Sequence, residues 1–238
     1  MRPDDRECFA FSHSFPTGPR TRRWTGSADI ARMTALAVAG IVGPVVFWTL
    51  LLLAQRLHPG YSPRRDSISR LIFPPFGWLQ TLNFCLMTVF TSAFGAAVYL
   101  HIASSLSGRI ASLLIVVTGV AQLLTAVFPV DVNPYGHKSV SYIIHNGVFM
   151  VSAGSFPVGA SFLVPNLLSN ERWRAFAFVT IGAAIIVLVM GLSWVIARSL
   201  RAQTFDPWFG IFERVLMSVP LAWMVTISTR LLFLAANS

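Results

Sequence analysis

Ala175-Phe-Ala-Phe-Val-Thr-Ile-Gly-Ala-Ala-Ile-Ile-Val-Leu-Val-Met-Gly-Leu-Ser-Trp-Val-Ile-Ala197 carries no charged side chain and is closed at both ends by arginine, Arg174 and Arg198. A helix needs roughly 20 such residues to cross about 30 Å of hydrocarbon, so this run spans a bilayer. Working outward, five more apolar segments lie at about 33–55, 77–100, 110–128, 141–164 and 215–235. Each is bounded by charge, proline or glycine, as at Arg32 and Arg56, Pro75 and His101, or Arg214 and Arg230. Backbone polar groups in lipid have to be satisfied within their own segment, which requires helices, and no alternation supports a barrel. The expectation is an all-α polytopic membrane protein, a bundle of six transmembrane helices. Composition agrees: 55% of the chain is hydrophobic and 11% charged, against roughly 25% charged in a water-soluble domain.

Residues 1–28 are polar, hold Pro3, Pro16, Pro19, Gly18 and Gly26, and show no apolar period. They are expected to form a disordered tail before a membrane domain at 29–238. Arg22-Arg23 resembles a twin-arginine export signal, yet the apolar run behind it is too long for a cleaved leader and is read as a retained first span. Cys8 and Cys85 make no structural disulfide pattern. The net charge of +9 is scattered over the tail and loop ends rather than gathered on one soluble face. Membrane lipids are therefore the expected partners and nucleic acid is not. Ala35, Ala39 and Gly43 form a small-residue stripe on the first span, and Gly147 and Gly154 give the fourth a lean face. Pro44, Pro157 and Pro220 are expected to kink their helices. No repeat or half-to-half symmetry is visible, which places transport last among the roles.

Orientation is balanced. Arg20, Arg22, Arg23, Arg32, Arg109, Arg172, Arg174 and Arg230 lie on the tail side, against Arg56, Arg64, Arg65, Arg70, Lys138, Arg198, Arg201 and Arg214 opposite. Arg2 and Arg6 favour a cytoplasmic N-terminus. Parity is more informative: with six spans the first, third and fifth loops share one side. Asp66, Asp131, Asp206 and Glu213 belong there, as do His58, His137 and His145, while the other face offers His101 and Glu171 outside the tail and its boundary Asp29.

Each cluster on that face has a bland and a functional reading. In His58-Pro-Gly-Tyr-Ser-Pro-Arg-Arg-Asp66-Ser67-Ile-Ser69-Arg70, the bland reading is an interfacial turn held by Pro59, Gly60 and Pro63 with its arginines on headgroup phosphates, and with Asp66 and Ser67 capping a short helix. The functional alternative makes Asp66 an acid or base, with Arg64 and Arg65 clamping an anionic headgroup beside Ser67 and Ser69. In the third loop, Asp131 follows Phe128-Pro129-Val130, and His145 lies about a turn into the fourth span. Ionisable groups at that depth are costly and are candidate functional groups, though a structural His145–Asp131 hydrogen bond explains them equally well. Asp131, His137 and His145 match no metal-ligand spacing, so neither metal nor cofactor is expected. Glu213-Arg214 opens the sixth span, either as a dipole partner with a snorkelling arginine or as a carboxylate facing Asp66 or His145. Asn83, Gln122 and Asn146 read as interhelical hydrogen-bonding groups, with a substrate path the lesser alternative. No nucleophile elbow or phosphate-cradling glycine loop is present.

The first-loop string, the Phe128-Pro-Val-Asp131 end of span three and His145 at the start of span four resemble a bacterial family of six-span proteins, domain of unknown function 998. The resemblance covers roughly residues 33–235. It implies a six-helix protein of the bacterial plasma membrane and points to Asp66, Ser67, Ser69, Asp131 and His145, with no activity attached. The leading expectation is a protein that binds a lipid or isoprenoid-like molecule in a cleft under the odd-numbered loops. A membrane-embedded enzyme performing acid–base chemistry on a lipophilic substrate, by cyclisation or hydrolysis, is the alternative, and a non-catalytic assembly subunit the third. Oligomeric state is left open.

Overall fold

The computed structural model describes residues 26–130, 139–199 and 207–237. Six long helices follow one another: α1 (Ser27–Leu57), α2 (Gly77–His101), α3 (Leu106–Val127), α4 (Val140–Leu168), α5 (Arg174–Ser199) and α6 (Phe209–Ala236), with a short 3-10 helix (Ile68–Ile72) between α1 and α2. All six are long and apolar enough to cross a membrane, and no strand occurs among the described residues. The expected fold class is what the structure shows. The helices outrun the apolar segments because the interface also supports helix. At 31 residues, α1 is about 46 Å long at 1.5 Å per residue, more than the hydrocarbon alone requires. Its extra turn carries Asp29, a carboxylate suited to the positive end of the helix dipole. Likewise α4 continues through Pro165 to Leu168.

Helix starts are capped by side chains already suited to the task. Ser139 Oγ accepts from Tyr142 N at 3.0 Å at the head of α4, and Ser105 Oγ from Gly108 N at 3.4 Å at the head of α3. Asn166 of α4 reinforces the latter, its Oδ1 accepting from Ser104 N and Ser105 N at 3.1 and 3.2 Å.

Each helix packs against the next in sequence, and α6 returns against α1, so the six form a closed ring. Its centre is filled. Trp223 of α6 meets Phe94 of α2 edge-on, centroids 5.3 Å apart, and Phe156 of α4 at 5.2 Å. Its indole N–H donates to Thr180 Oγ1 of α5 at 2.9 Å, so no polar atom of this large side chain is left unpaired. Lipid tails are as apolar as leucine, so helix association rests on close packing rather than on hydrophobic transfer. Glycine supplies that closeness: Gly43 lies against Phe90, Gly40 against Ser228 and Phe94, and Gly95 against Val116 and Ser112. The buried stripe of α1 therefore runs through Met33, Ala37, Gly40, Gly43 and Phe47, while Ala35 is exposed. Gly147 and Gly154 face open space; the lean face of α4 points away from its neighbours.

The 3-10 helix tucks under the start of α2, where a Cβ on Gly77 would fall onto the Ile72 carbonyl, whereas one on Gly182 meets nothing. Gly77→Ala is expected to lower stability by roughly 1–3 kcal/mol, and Gly182→Ala to change it by less than about 1 kcal/mol. Thermal unfolding of the two variants in one detergent provides the comparison.

Candidate functional site: the first loop and the head of α6

Chain parity brings the first loop to the face from which α6 descends, and side-chain chemistry then locks the two together. The loop turns at Gly60, whose φ of 70° lies in the left-handed region that glycine reaches without penalty. Ser62 and Asp66 close the next turn reciprocally: Asp66 N donates to Ser62 O at 2.8 Å and Ser62 N to Asp66 Oδ2 at 2.7 Å. The other carboxylate oxygen accepts from Arg70 Nη1 at 2.6 Å and lies 3.6 Å from Arg65 Nε. Ser67 caps the 3-10 helix, its Oγ accepting from Arg70 N at 3.2 Å and lying 3.2 Å from Ser69 Oγ.

Glu213 and Arg214 reach up from α6. Glu213 Oε2 accepts from Ile68 N at 2.7 Å, one of the backbone donors a helix start leaves without an internal partner. Arg214 donates to Gly210 O at 2.7 Å, to Asp66 O at 3.3 Å and to Tyr61 Oη at 2.6 Å. The Tyr61 hydroxyl in turn faces the carbonyls of Ser67 at 2.9 Å and Asp66 at 3.1 Å. A Cβ on Gly210 would stand 2.5 Å from the carbonyl oxygens of both Pro63 and Asp66, so this contact admits no side chain. Ile211 N donates to Arg64 O at 3.2 Å, and the Arg64 guanidinium lies 3.8 Å above the Trp208 ring.

Burial works to raise the pKa of Asp66, but the Ser62 N–H and the Arg70 and Arg65 guanidiniums outweigh it and hold the carboxyl below its usual range. Tyr61 is pushed up to about 12 by burial, against the pull of Arg214. At neutral pH Asp66 is therefore a carboxylate and Tyr61 a neutral phenol. Arg65 and Arg70 remain 63% and 51% exposed while Asp66 is 4% exposed: the acid points inward and the cations outward.

Of the residues singled out in the sequence, Asp66, Ser67, Ser69, Arg64, Arg65, Glu213 and Arg214 come together here. Asn83 lies elsewhere, its Nδ2 donating to Phe47 O of α1 at 3.1 Å. His145 ties α4 to the end of α3, with Nδ1 2.8 Å from Phe128 O. Asp131 and His137 fall outside the described residues. Among the described residues no group of three His, Cys, Asp or Glu could hold a metal. Tyr61, Trp208 and Gly210 belong to the node without having stood out as candidates. Only the spacing of Gly210 one turn ahead of Glu213-Arg214 hints at a close approach.

Six membrane-length helices in a closed ring, pinned at one end by buried polar contacts, define an integral membrane protein. The sequence profile of the family described as "Protein of unknown function (DUF998)" matches residues 41–230, well over half of the chain, and the protein belongs to that family. No curated protein and no solved structure matches it.

Asp66→Asn keeps the shape but loses the ion pairs and is expected to cost about 1–3 kcal/mol. Because the Asp66 pKa lies below 3.8 in the fold, its contribution is present above that pH and fades as pH falls through the lowered value. The acid limb of a stability–pH profile should flatten in the variant. Tyr61 contributes the opposite limb: with its pKa raised from 10.0 to about 12, stability is full below pH 10 and declines as pH rises towards 12. Tyr61→Phe should remove that decline.

Proposed function

We propose that this protein binds a lipid with an anionic or polar head at the face formed by its first, third and fifth loops. The observation that carries the reading is the outward set of guanidiniums on a turn that cannot swing. Arg64 is laid on Trp208, Arg65 and Arg70 are steadied by Asp66, and the turn itself is bolted to α6. Arginine in a fixed pose forms paired hydrogen bonds to phosphate with little further loss of freedom. Exposed Trp78 and Trp208 suit the headgroup level, where indoles concentrate.

A second reading, proton transfer on a membrane-dissolved substrate, is favoured by His145. Its Nδ1 has to donate to the Phe128 carbonyl, which leaves Nε2 of the neutral ring as the proton-accepting position. Under that reading His145→Gln abolishes turnover in a lipid-extract assay at unchanged folded yield; equal turnover would remove it.

For lipid binding, a cation near the membrane surface contributes about 1 kcal/mol to anionic lipid attraction, roughly a fivefold effect. Arg64→Ala and Arg65→Ala should each lower the retention of phosphatidylglycerol by about that factor, measured by native mass spectrometry from mixed phosphatidylglycerol–phosphatidylcholine nanodiscs. Arg230→Ala, on the opposite face and with its guanidinium already donating to the Arg172 carbonyl, should lower it less than either. Equal retention of both lipids by wild type and variants would refute the reading.

A further inference from the structure

A groove of about 590 Å³ runs between α2 and α3 on the outer side of the ring, within the roughly 300–1,000 Å³ of small-molecule sites. Its shape follows from side-chain size. Gly95, Ala96 and Ser112 line it where the two helices pack closely, since a Cβ on Gly95 would stand 2.8 Å from Val116 Cγ2 and 3.2 Å from Ser112 O. Tyr99, Leu106 and Leu113 rise beside them, and all three are exposed. The body of the groove offers no polar handle: Ser112 is buried, and its hydroxyl donates to Gly108 O at 2.9 Å. The mouth is different. Arg109 lies three residues into α3 and Tyr99 two residues before the end of α2, so both stand at the membrane surface that carries the second and fourth loops. The exposed Arg109 guanidinium is 5.9 Å from the centre of the Tyr99 ring. No lining residue is acidic, and among the described residues no carboxylate lies in ion-pair range of Arg109. The first turn of α3 holds no acid either, so the positive end of its dipole adds to the same field. From Arg109 to Val116 the groove descends seven residues, about 10 Å, or roughly a third of a 30 Å hydrocarbon layer.

We infer that this groove seats the upper part of an acyl chain of an anionic phospholipid, drawn from the leaflet opposite the odd-loop face, with its phosphate held by Arg109. Hydrocarbon is what fits a wall without free donors or acceptors, and one guanidinium without an acid partner at the surface end selects an anion. Tyr99 suits the headgroup level beside it. The inference uses no residue of the first loop, so it stands apart from the reading proposed above. Its test is photolabelling of the full-length protein in nanodiscs with phosphatidylglycerol that carries a diazirine in its acyl chain near the head. Adducts are located by peptide mass spectrometry, and those at the first loop report the other face and are counted separately. Labelling should concentrate on residues 95–116 and be displaced by unlabelled phosphatidylglycerol but not by phosphatidylcholine. It should fall about fivefold in Arg109→Ala, and also in Ala96→Phe, which fills the groove and leaves the charge in place. Should either variant fail to fold, the competition in wild type decides. Labelling spread evenly round the ring, equal displacement by both lipids, or undiminished labelling in folded Arg109→Ala overturns the inference. An unlabelled groove overturns it as well, and a dimer by native mass spectrometry would then assign the face to a second copy of the chain.

Discussion

Carrying a peptide backbone through hydrocarbon leaves every N–H and C=O to find a partner without water, and the helix is how this chain meets that demand six times. The demand also sets where the architecture is vulnerable. Once the backbone is satisfied inside each helix, the hydrophobic effect no longer distinguishes helix from lipid, so the ring has to be held by contact and by a few polar anchors. Glycines at 40, 43 and 95 bring helix backbones close to neighbouring side chains, and Trp223 fills the axis while its indole N–H donates to Thr180 Oγ1. At either mouth, side chains take the place of missing helical partners: Asn166 for the amides before α3, Glu213 for the amide of Ile68.

That last substitution has a functional corollary. A carboxyl group placed under the first loop brings a polar side chain into a buried position, and the Ile68 amide satisfies it there. Asp66 is treated similarly, with its oxygens shared between an amide and guanidiniums. Since both acids face inward, the charge left for the headgroup layer is positive. The same contacts that hold the loop in place thus decide the sign of the surface it presents, and a rigid cationic rim beside exposed indoles favours a lipid headgroup over a catalytic carboxylate at Asp66.

Hydrophobic length and the bounding charges were enough to establish six helices, and six crossings were enough to assign the first, third and fifth loops, with Asp66 and Glu213, to one face. Those properties are local or topological: they depend on what a segment is made of and on counting. Which groups meet was decided only by tertiary structure. Asp66, Glu213 and Arg214 join in one node through Tyr61 and the bare face of Gly210, whereas His145 goes to the Phe128 carbonyl and Asn83 to Phe47. A hydrogen bond requires two atoms within about 3 Å, and residue types on a shared face leave that separation open by far more. It is set by helix rotation and crossing distance, which have no signature in the order of residues alone, whereas the turn at Pro59-Gly60 is written there.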